Sequence, residues 1–479
     1  MEENRSEQRD PEGSRDTGRD AGEERREGNA LDFRITWRTL IKYALPTLFS
    51  QLLMNIYTIV DSLFISNLLG TDALSALNIV WPIILIVMAI ATMVAIGGSA
   101  LCAKLTGEGR EHESRRLFTT FTILGVLISA VLCIAGFLFR KPVIYLFGAD
   151  DSLWPYCNSY ASVMFFMLPF VMTAMIYQTF FVTAGHPNLG FLLAVAGGVV
   201  NIVLDYVFIG PCGMGMAGAA LASGIGYILQ AAAGTVYFAC ARKGLLFFTK
   251  PKWDGRSILR ALSNGVSEMV VTVTSSVSMI LMNVILMKIS GSDSVAACAI
   301  IMSVATIIMS VYMGYVYGVA PLISYHYGMG DERGLKKIFR AQRNTLFFIA
   351  ILCFALCFAL AEPVARIYVS GKGTVYEMAV EGTFAYSPTF LVMGFNVMTS
   401  SLFTSLNDGK TSAFVSFMRT FVFVVIPLLV LPRFLGVWGV WIATPIAECL
   451  GLLLDVVVLK RKDKKYHYLY KKGERAGND

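Results

Sequence analysis

Along most of this chain apolar residues run on without the regular polar interruptions that would keep one helix face in water. Single runs reach the roughly 20 residues a helix needs to cross a bilayer's hydrocarbon core, and they recur about twelve times. They predict spans at 40–69, a second ending at 103, then 117–139, 154–181, 189–210 and 215–240; beyond these come 261–289, 295–327, 338–360, 376–403, 412–431 and 437–459. No water is present in a bilayer core to satisfy backbone N–H and C=O groups, so each run is predicted to be a helix. The pattern makes the chain an all-α polytopic membrane protein.

Polar stretches punctuate the spans. Residues 1–30 mix Glu, Asp and Arg with Gly and Ser, without apolar periodicity, and are predicted to be a disordered cytoplasmic tail; nothing in them reads as a signal peptide. An amphipathic lead-in at 31–37 is predicted to lie on the membrane surface. The connector 242–260, with Arg242, Lys243, Lys250, Lys252, Arg256 and Arg260, separates an N-terminal half (31–241) from a C-terminal half (261–459). A basic tail, 460–479, follows. The loops that hold Arg110, Arg115 and Arg116, or Arg333, Lys336 and Lys337, fall on the same side as this tail, which predicts both termini in the cytoplasm and an inner or plasma membrane location.

Composition sharpens the class. Over 479 residues, 56% hydrophobic and only 15% charged, the mean hydropathy is +0.62, outside the usual range of soluble domains. The net charge of +7 sits in short loops and the tail, as membrane topology requires, so nucleic acid is not a predicted partner. The nine cysteines lie mostly alone in apolar runs and read as small packing residues, and the four histidines form no ligand pair at helical spacing. No metal centre or cofactor is predicted.

The chain repeats itself. GEGREHESRRLF from Gly107 aligns with GMGDERGLKKIF from Gly328, a shift of 221 positions, and the same shift carries Gly215 and Gly218 onto Gly436 and Gly439. A repeat of six spans gives both halves one orientation, related by an axis along the membrane normal, as in transporters with a central cleft.

Against this apolar background a few polar residues stand out. Asn201 and Asp205, four apart in NIVLDYVFI, lie about 6 Å apart along one helix face and together offer oxygens to a small cation. An acid at membrane depth costs several kcal/mol, roughly, and persists where it has a partner or a task; solvation near an interface is the plainer alternative. Asp61 in the first span is a second such acid. Glu268, near the start of the seventh span, either faces a cleft or merely solvates the helix start. Glu448, deep in the last span, either balances a cationic substrate or pairs with Arg419, whereas Asp455, nearer the basic tail, is predicted to be solvated. In the eighth span Met302, Met309 and Met313 accompany Tyr312, Tyr315 and Tyr317; most of these read as packing, with the face of Tyr315 and Met309 assigned to a cleft for amphiphilic cations.

The two six-span halves, NIVLDYVFI, the GMGMAGAALAS after it and VDSLFISNLLG in the first span resemble the multidrug and toxic compound extrusion (MATE) family over residues 40–459. The resemblance implies a cation site of Asp61, Asn201 and Asp205, with Tyr160 and Ser223 as further contributors. One branch of the family carries a glutamate midway along the seventh span, and Glu268 departs from that position.

The implied function is a monomeric secondary antiporter that expels cationic or amphiphilic small molecules in exchange for sodium ions or protons. A flippase for lipid-linked precursors would want a basic cleft, yet Lys288, Arg140 and Lys104 lie near span ends. The absence of a Walker-type GxxxxGK[ST], of HExxH and of GxSxG argues against ATP hydrolysis and against a membrane-embedded enzyme. A non-transporting scaffold or receptor would tolerate neutral Asp205. By the 221-residue shift Asp61 falls on Met282, Asn201 on Val422 and Asp205 on Ile426, so the ion site is predicted in the N-terminal half only.

Overall fold

The computed structural model describes residues 31–242, 244–369 and 373–469. The tail predicted at 1–30 and the end of the basic tail lie outside the described residues. The N-terminal half consists of α1 (Trp37–Leu69), α2 (Thr71–Gly107), α3 (Glu111–Leu146), α4 (Trp154–Thr183), α5 (Pro187–Ile209) and α6 (Gly215–Cys240). The C-terminal half follows with α7 (Gly255–Ser290), α8 (Ser292–Met329), α9 (Glu332–Tyr368), α10 (Thr374–Tyr386), α11 (Thr389–Ser405) and α12 (Gly409–Phe417). A π turn (Met418–Val422) leads into α13 (Phe423–Val430), α14 (Pro432–Leu435) and α15 (Val437–Tyr466).

Local chemistry sets the helix ends. Thr36 and Thr39 form a reciprocal capping box at the start of α1, and the Asp254, Asp331 and Asp408 side chains accept from backbone N–H groups opening α7, α9 and α12. The repeat is written in the backbone as well: Gly70 and Gly291, Gly109 and Gly330, and Gly215 and Gly436 all have positive φ at a displacement of 221. A side chain at these turns would strain the chain.

Three expectations are corrected. The span predicted at 376–403 is two helices, because Ser387 and Pro388 break it between α10 and α11; proline has no N–H to donate and restricts the residue before it. For that reason 11 unbroken helical stretches, with 409–435 taken as one, are long and apolar enough to cross a membrane among the described residues, and the broken stretch stands beside them. The tail expected from Lys460 continues α15 to Tyr466, held where Asp408 accepts from Lys462 Nζ (2.8 Å) and Tyr466 Oη (2.9 Å). The lead-in at 31–37 is not a simple surface piece, since Leu31 is buried in the core around α8.

The N-terminal half has two cores, one joining α1, α2, α4 and α6, the other α2, α3, α4 and α6. Onto the second core the connector is pinned: Thr249 N donates to Thr119, Lys252 N to Thr120, and Phe248 stacks on Phe118. The main C-terminal core surrounds α8. Large apolar side chains such as Val131, Ile134 and Leu138 on α3 point outward, as a lipid-facing surface requires.

The halves meet where α1 packs on α8 and α2 on α7 and α8. Glycines let backbones touch there. A Cβ on Gly97 would lie 2.0 Å from the Ala261 carbonyl oxygen, one on Gly265 2.0 Å from that of Met93, one on Gly107 2.1 Å from that of Tyr325, and one on Gly328 2.1 Å from that of Lys104. This is the small-residue packing by which membrane helices approach closely. Gly107 and Gly328 are repeat mates, so the same position seals both sides of the seam at the end of the molecule that carries the basic loops.

Candidate functional site

In the N-terminal half the site is built by close helix crossings. A Cβ on Gly226 of α6 would lie 2.7 Å from the Gly197 carbonyl of α5, and one on Gly198 would lie 3.0 Å from the Tyr57 ring of α1. These approaches carry Asn201 to the α6 residue Ser223: the Asn201 amide donates to Ser223 Oγ (3.1 Å) and to Asp205 Oδ2 (3.2 Å). Asp61 of α1 faces the same place, within hydrogen-bonding reach of Asp205. One oxygen each of Asp61, Asn201 and Asp205 is buried without a hydrogen-bond partner. Three such orphans converging are costly in a protein interior and fit an oxygen-liganded cation or a proton.

A cavity of about 30 Å³ adjoins them, lined by Asp61, Asn201, Tyr160 and Ser223. It has room for a water or one small ion. Asp205, fully buried, stands behind that wall. Sequence reasoning missed Tyr57 and Tyr227, which also line the cavity. Their signal was present, since Tyr57 lies one helical turn before Asp61 and Tyr227 one turn after Ser223. Among the described residues no group of three His, Cys, Asp or Glu side chains is arranged to hold a metal ion.

A second, larger cleft of about 290 Å³ lies between the halves, walled by α1, α2 and α4 on one side and α7, α8 and α11 on the other. Gln51, Gln178, Met54, Met175 and Met313 line it, and Glu268 is its charged group among the described residues. Tyr317 donates to Glu268 Oε2 (2.8 Å).

A profile of the MatE family matches residues 46–207 and again 269–430. The chain belongs to the MATE family. The two matched segments of this transporter family fall one in each half, displaced by 223 positions (269 − 46). Among curated MATE relatives, the multidrug export protein MepA of Staphylococcus saprophyticus is 23% identical over 88% of this chain and 93% of its own length. MepA of Staphylococcus aureus strain NCTC 8325 is 21% identical with the same coverage. The fold matches a multidrug resistance MATE transporter solved in an outward-facing conformation (TM-score 0.84, 19% identity, 92% of this chain and 97% of that one). It also matches a MOP superfamily transporter from Pyrococcus furiosus (TM-score 0.85, 19% identity, 91% and 98%).

Seen on the MATE framework, the residues assigned to the substrate cleft separate. Glu268 lines it. Tyr315 does not: it is buried toward Thr345 of α9, and Tyr317, two residues and about 200° further round the helix, takes its place. Met309 and Glu448 line another chamber, of about 170 Å³, inside the C-terminal half. There Arg419 Nη1 lies 3.7 Å from Glu448 Oε1, the pairing that was one of the two readings of Glu448, and Asn396 Nδ2 donates to the other Glu448 oxygen. Asp455, expected to be solvated, is 1% exposed and neither of its carboxylate oxygens has a hydrogen-bond partner. The Thr399 hydroxyl nearby is committed to the Phe395 carbonyl (3.0 Å). Asp455 lies within α15, toward Arg419 and Thr399 of the neighbouring segments.

Proposed function

We propose that this MATE transporter exports cationic or amphiphilic drugs or toxic compounds by alternating access, in exchange for sodium ions or protons bound at Asp61, Asn201 and Asp205, with Tyr160 and Ser223 completing the site. The orphaned oxygens of Asp61 and Asn201, whose residues line a cavity of ion size, and that of Asp205 behind them support this reading. The site lies within one half while the cleft lies between the halves, so ion and substrate act on each other through the equilibrium between two arrangements of the halves, each binding the other's preferred state less well.

The cleft supports a cationic cargo. Glu268 supplies negative charge, the methionines and Tyr317 supply adaptable polarizable walls, and no Lys or Arg lines it among the described residues. A lipid-linked phosphate would find no partner there. The glycine seam closes the basic end; with basic loops on the cytoplasmic side, this is an arrangement whose cleft is sealed from the cytoplasm. Both termini are then cytoplasmic, the membrane is the plasma membrane and the working unit is the monomer. The names of the staphylococcal relatives, multidrug export proteins, agree with this reading.

The test is efflux of ethidium from proteoliposomes under an imposed sodium gradient and, separately, under an imposed pH gradient. One of the two gradients should drive efflux; failure of both, with protein shown to be folded, overturns the exchange reading.

A further inference from the structure

The helix that carries the proposed cation ligands, α5, has its repeat mate in the stretch 409–430, and this mate buries an arginine. Shifted back by 221 or 223 positions, Arg419 lands on Gly198 or Ala196, within the turn Ala196-Gly197-Gly198 that Val199 and Val200 separate from Asn201. In the N-terminal half that turn has no side chain beyond a methyl, and the cavity opens beside it. In the C-terminal half the same place holds a guanidinium that is 3% exposed.

Its surroundings are those of a bound cation. Glu448 of α15 pairs with Nη1, and Nε has no hydrogen-bond partner. A small cavity of about 10 Å³ joins Arg419 to Glu268 of α7 and Tyr317 of α8. Asp455 of α15 lies within the electrostatic reach of both Arg419 and Glu448 with its two oxygens unbonded. Local structure makes room for the side chain: it stands on the π turn, whose Thr420 carbonyl accepts from Ser278 Oγ (3.0 Å), and a Cβ on Gly451 would lie 3.2 Å from Arg419 Cγ. Arginine does not give up its proton in a protein, so this charge is permanent and tethered.

We infer that Arg419 is a built-in counter-ion that fills a cation site in the C-terminal half, and that removing it opens that half to a free monovalent metal cation held by Glu448 and its carboxylate neighbours. Without the guanidinium, Glu448, which lines the 170 Å³ chamber, loses its ion pair, and the chamber has space for a partly hydrated alkali ion. The N-terminal site enters this inference as a comparison and as a background for its test.

The test is equilibrium retention of ²²Na⁺ by purified full-length protein. The Asp61→Asn/Asp205→Asn variant should retain none. Adding Arg419→Ala should restore one sodium per chain, adding Glu448→Gln to that should remove it again, and Arg419→Lys in place of Arg419→Ala should leave retention at none. A triple variant that is folded and retains no sodium overturns the inference, even if its carboxylates take up protons instead. Sodium retained by Asp61→Asn/Asp205→Asn with Arg419 intact would instead defeat the N-terminal assignment, and the inference would then be read as one additional sodium on removal of Arg419. Should Arg419→Ala fold poorly, its folded yield should rise with sodium chloride and not with choline chloride at equal ionic strength; equal yields in the two salts overturn the inference as well.

Discussion

In the N-terminal half Asp61 and Asp205 face each other among neutral groups, Asn201, Ser223 and the tyrosines of the cavity, whereas in the C-terminal half Glu448, Glu268 and Asp455 gather about Arg419. Both halves bury acids, and both descend from one repeated unit. The difference is where the balancing cation comes from. A pair of carboxylates without a resident cation calls for a proton or an ion from outside, and the proposed antiport rests on that exchange. A carboxylate paired with a tethered guanidinium, as Glu448 is with Arg419, needs no cation that arrives and leaves. Removal of charge should therefore stop coupling in the first half and damage folding in the second.

The largest effect that would sharpen this contrast is on transport. Asp61→Asn and Asp205→Asn should each reduce gradient-driven ethidium efflux to that of protein-free vesicles, while thermal unfolding in detergent stays close to wild type. A variant that pumps at the wild-type rate breaks the assignment. Next in size is a stability effect: Arg419→Ala should cost about 3–5 kcal/mol by leaving buried carboxylates uncompensated. Arg419→Met combined with Glu448→Gln should recover most of that loss, and thermal unfolding of the single and double variants measures both.

The seam between the halves offers a third test. Gly328→Leu drives a side chain into the Lys104 carbonyl and should shift the halves toward separation at the basic end by at least about 1–3 kcal/mol. With the native cysteines replaced, a cysteine at Ser405, which lines the cleft, should then react several-fold faster with a thiol reagent supplied from that end. An unchanged rate would mean that the seam does not gate the cleft.

The smallest effect concerns one corner. Asn407 and Asp408 occupy the place of Gly185 and His186 in the first half, at a displacement of 222 (407 − 185), and Asn407 shares the positive φ of Gly185. His186 makes no side-chain cap, whereas Asp408 caps α12 and ties down α15. Burial by itself would raise the Asp408 pKa, but hydrogen bonds from Lys462, Tyr466 and Thr411 outweigh it and hold the carboxyl below the ordinary range. A depressed folded pKa means that the stability Asp408 contributes is complete above its unfolded pKa of about 3.9 and is lost as pH falls through the lower folded value. Protection of the amides in 455–466, measured against their intrinsic exchange rates, should therefore fall at acid pH in the wild type and already be reduced at neutral pH in Asp408→Ala. Asp408→Asn should fall between them, since asparagine caps as well but cannot hold the lysine.

The apolar runs, the 221-residue repeat and the pairing of Asn201 with Asp205 could be read from spacing, since bilayer thickness fixes run length, repetition fixes offset and four residues fix a shared helix face, whereas Asp61 joined that pair through the family resemblance. Tyr57 and Tyr227 obeyed the same spacing and were there to be found. Tertiary structure decided what spacing leaves open. A helix that is apolar all round, like α8, gives no sign of which face meets a cleft, so Tyr315 went to the core and Tyr317 to the cavity. Pro388 broke one span because no neighbouring signal in the sequence tells a kink from a stop. Arg419, on the π turn, sits in a pocket completed by Glu268, Asn396 and Glu448, residues far apart in the chain, and Asp455 is buried toward the same arginine. Helix rotation and long-range pairing are set by packing between helices, and a single sequence records them only after the chain has folded.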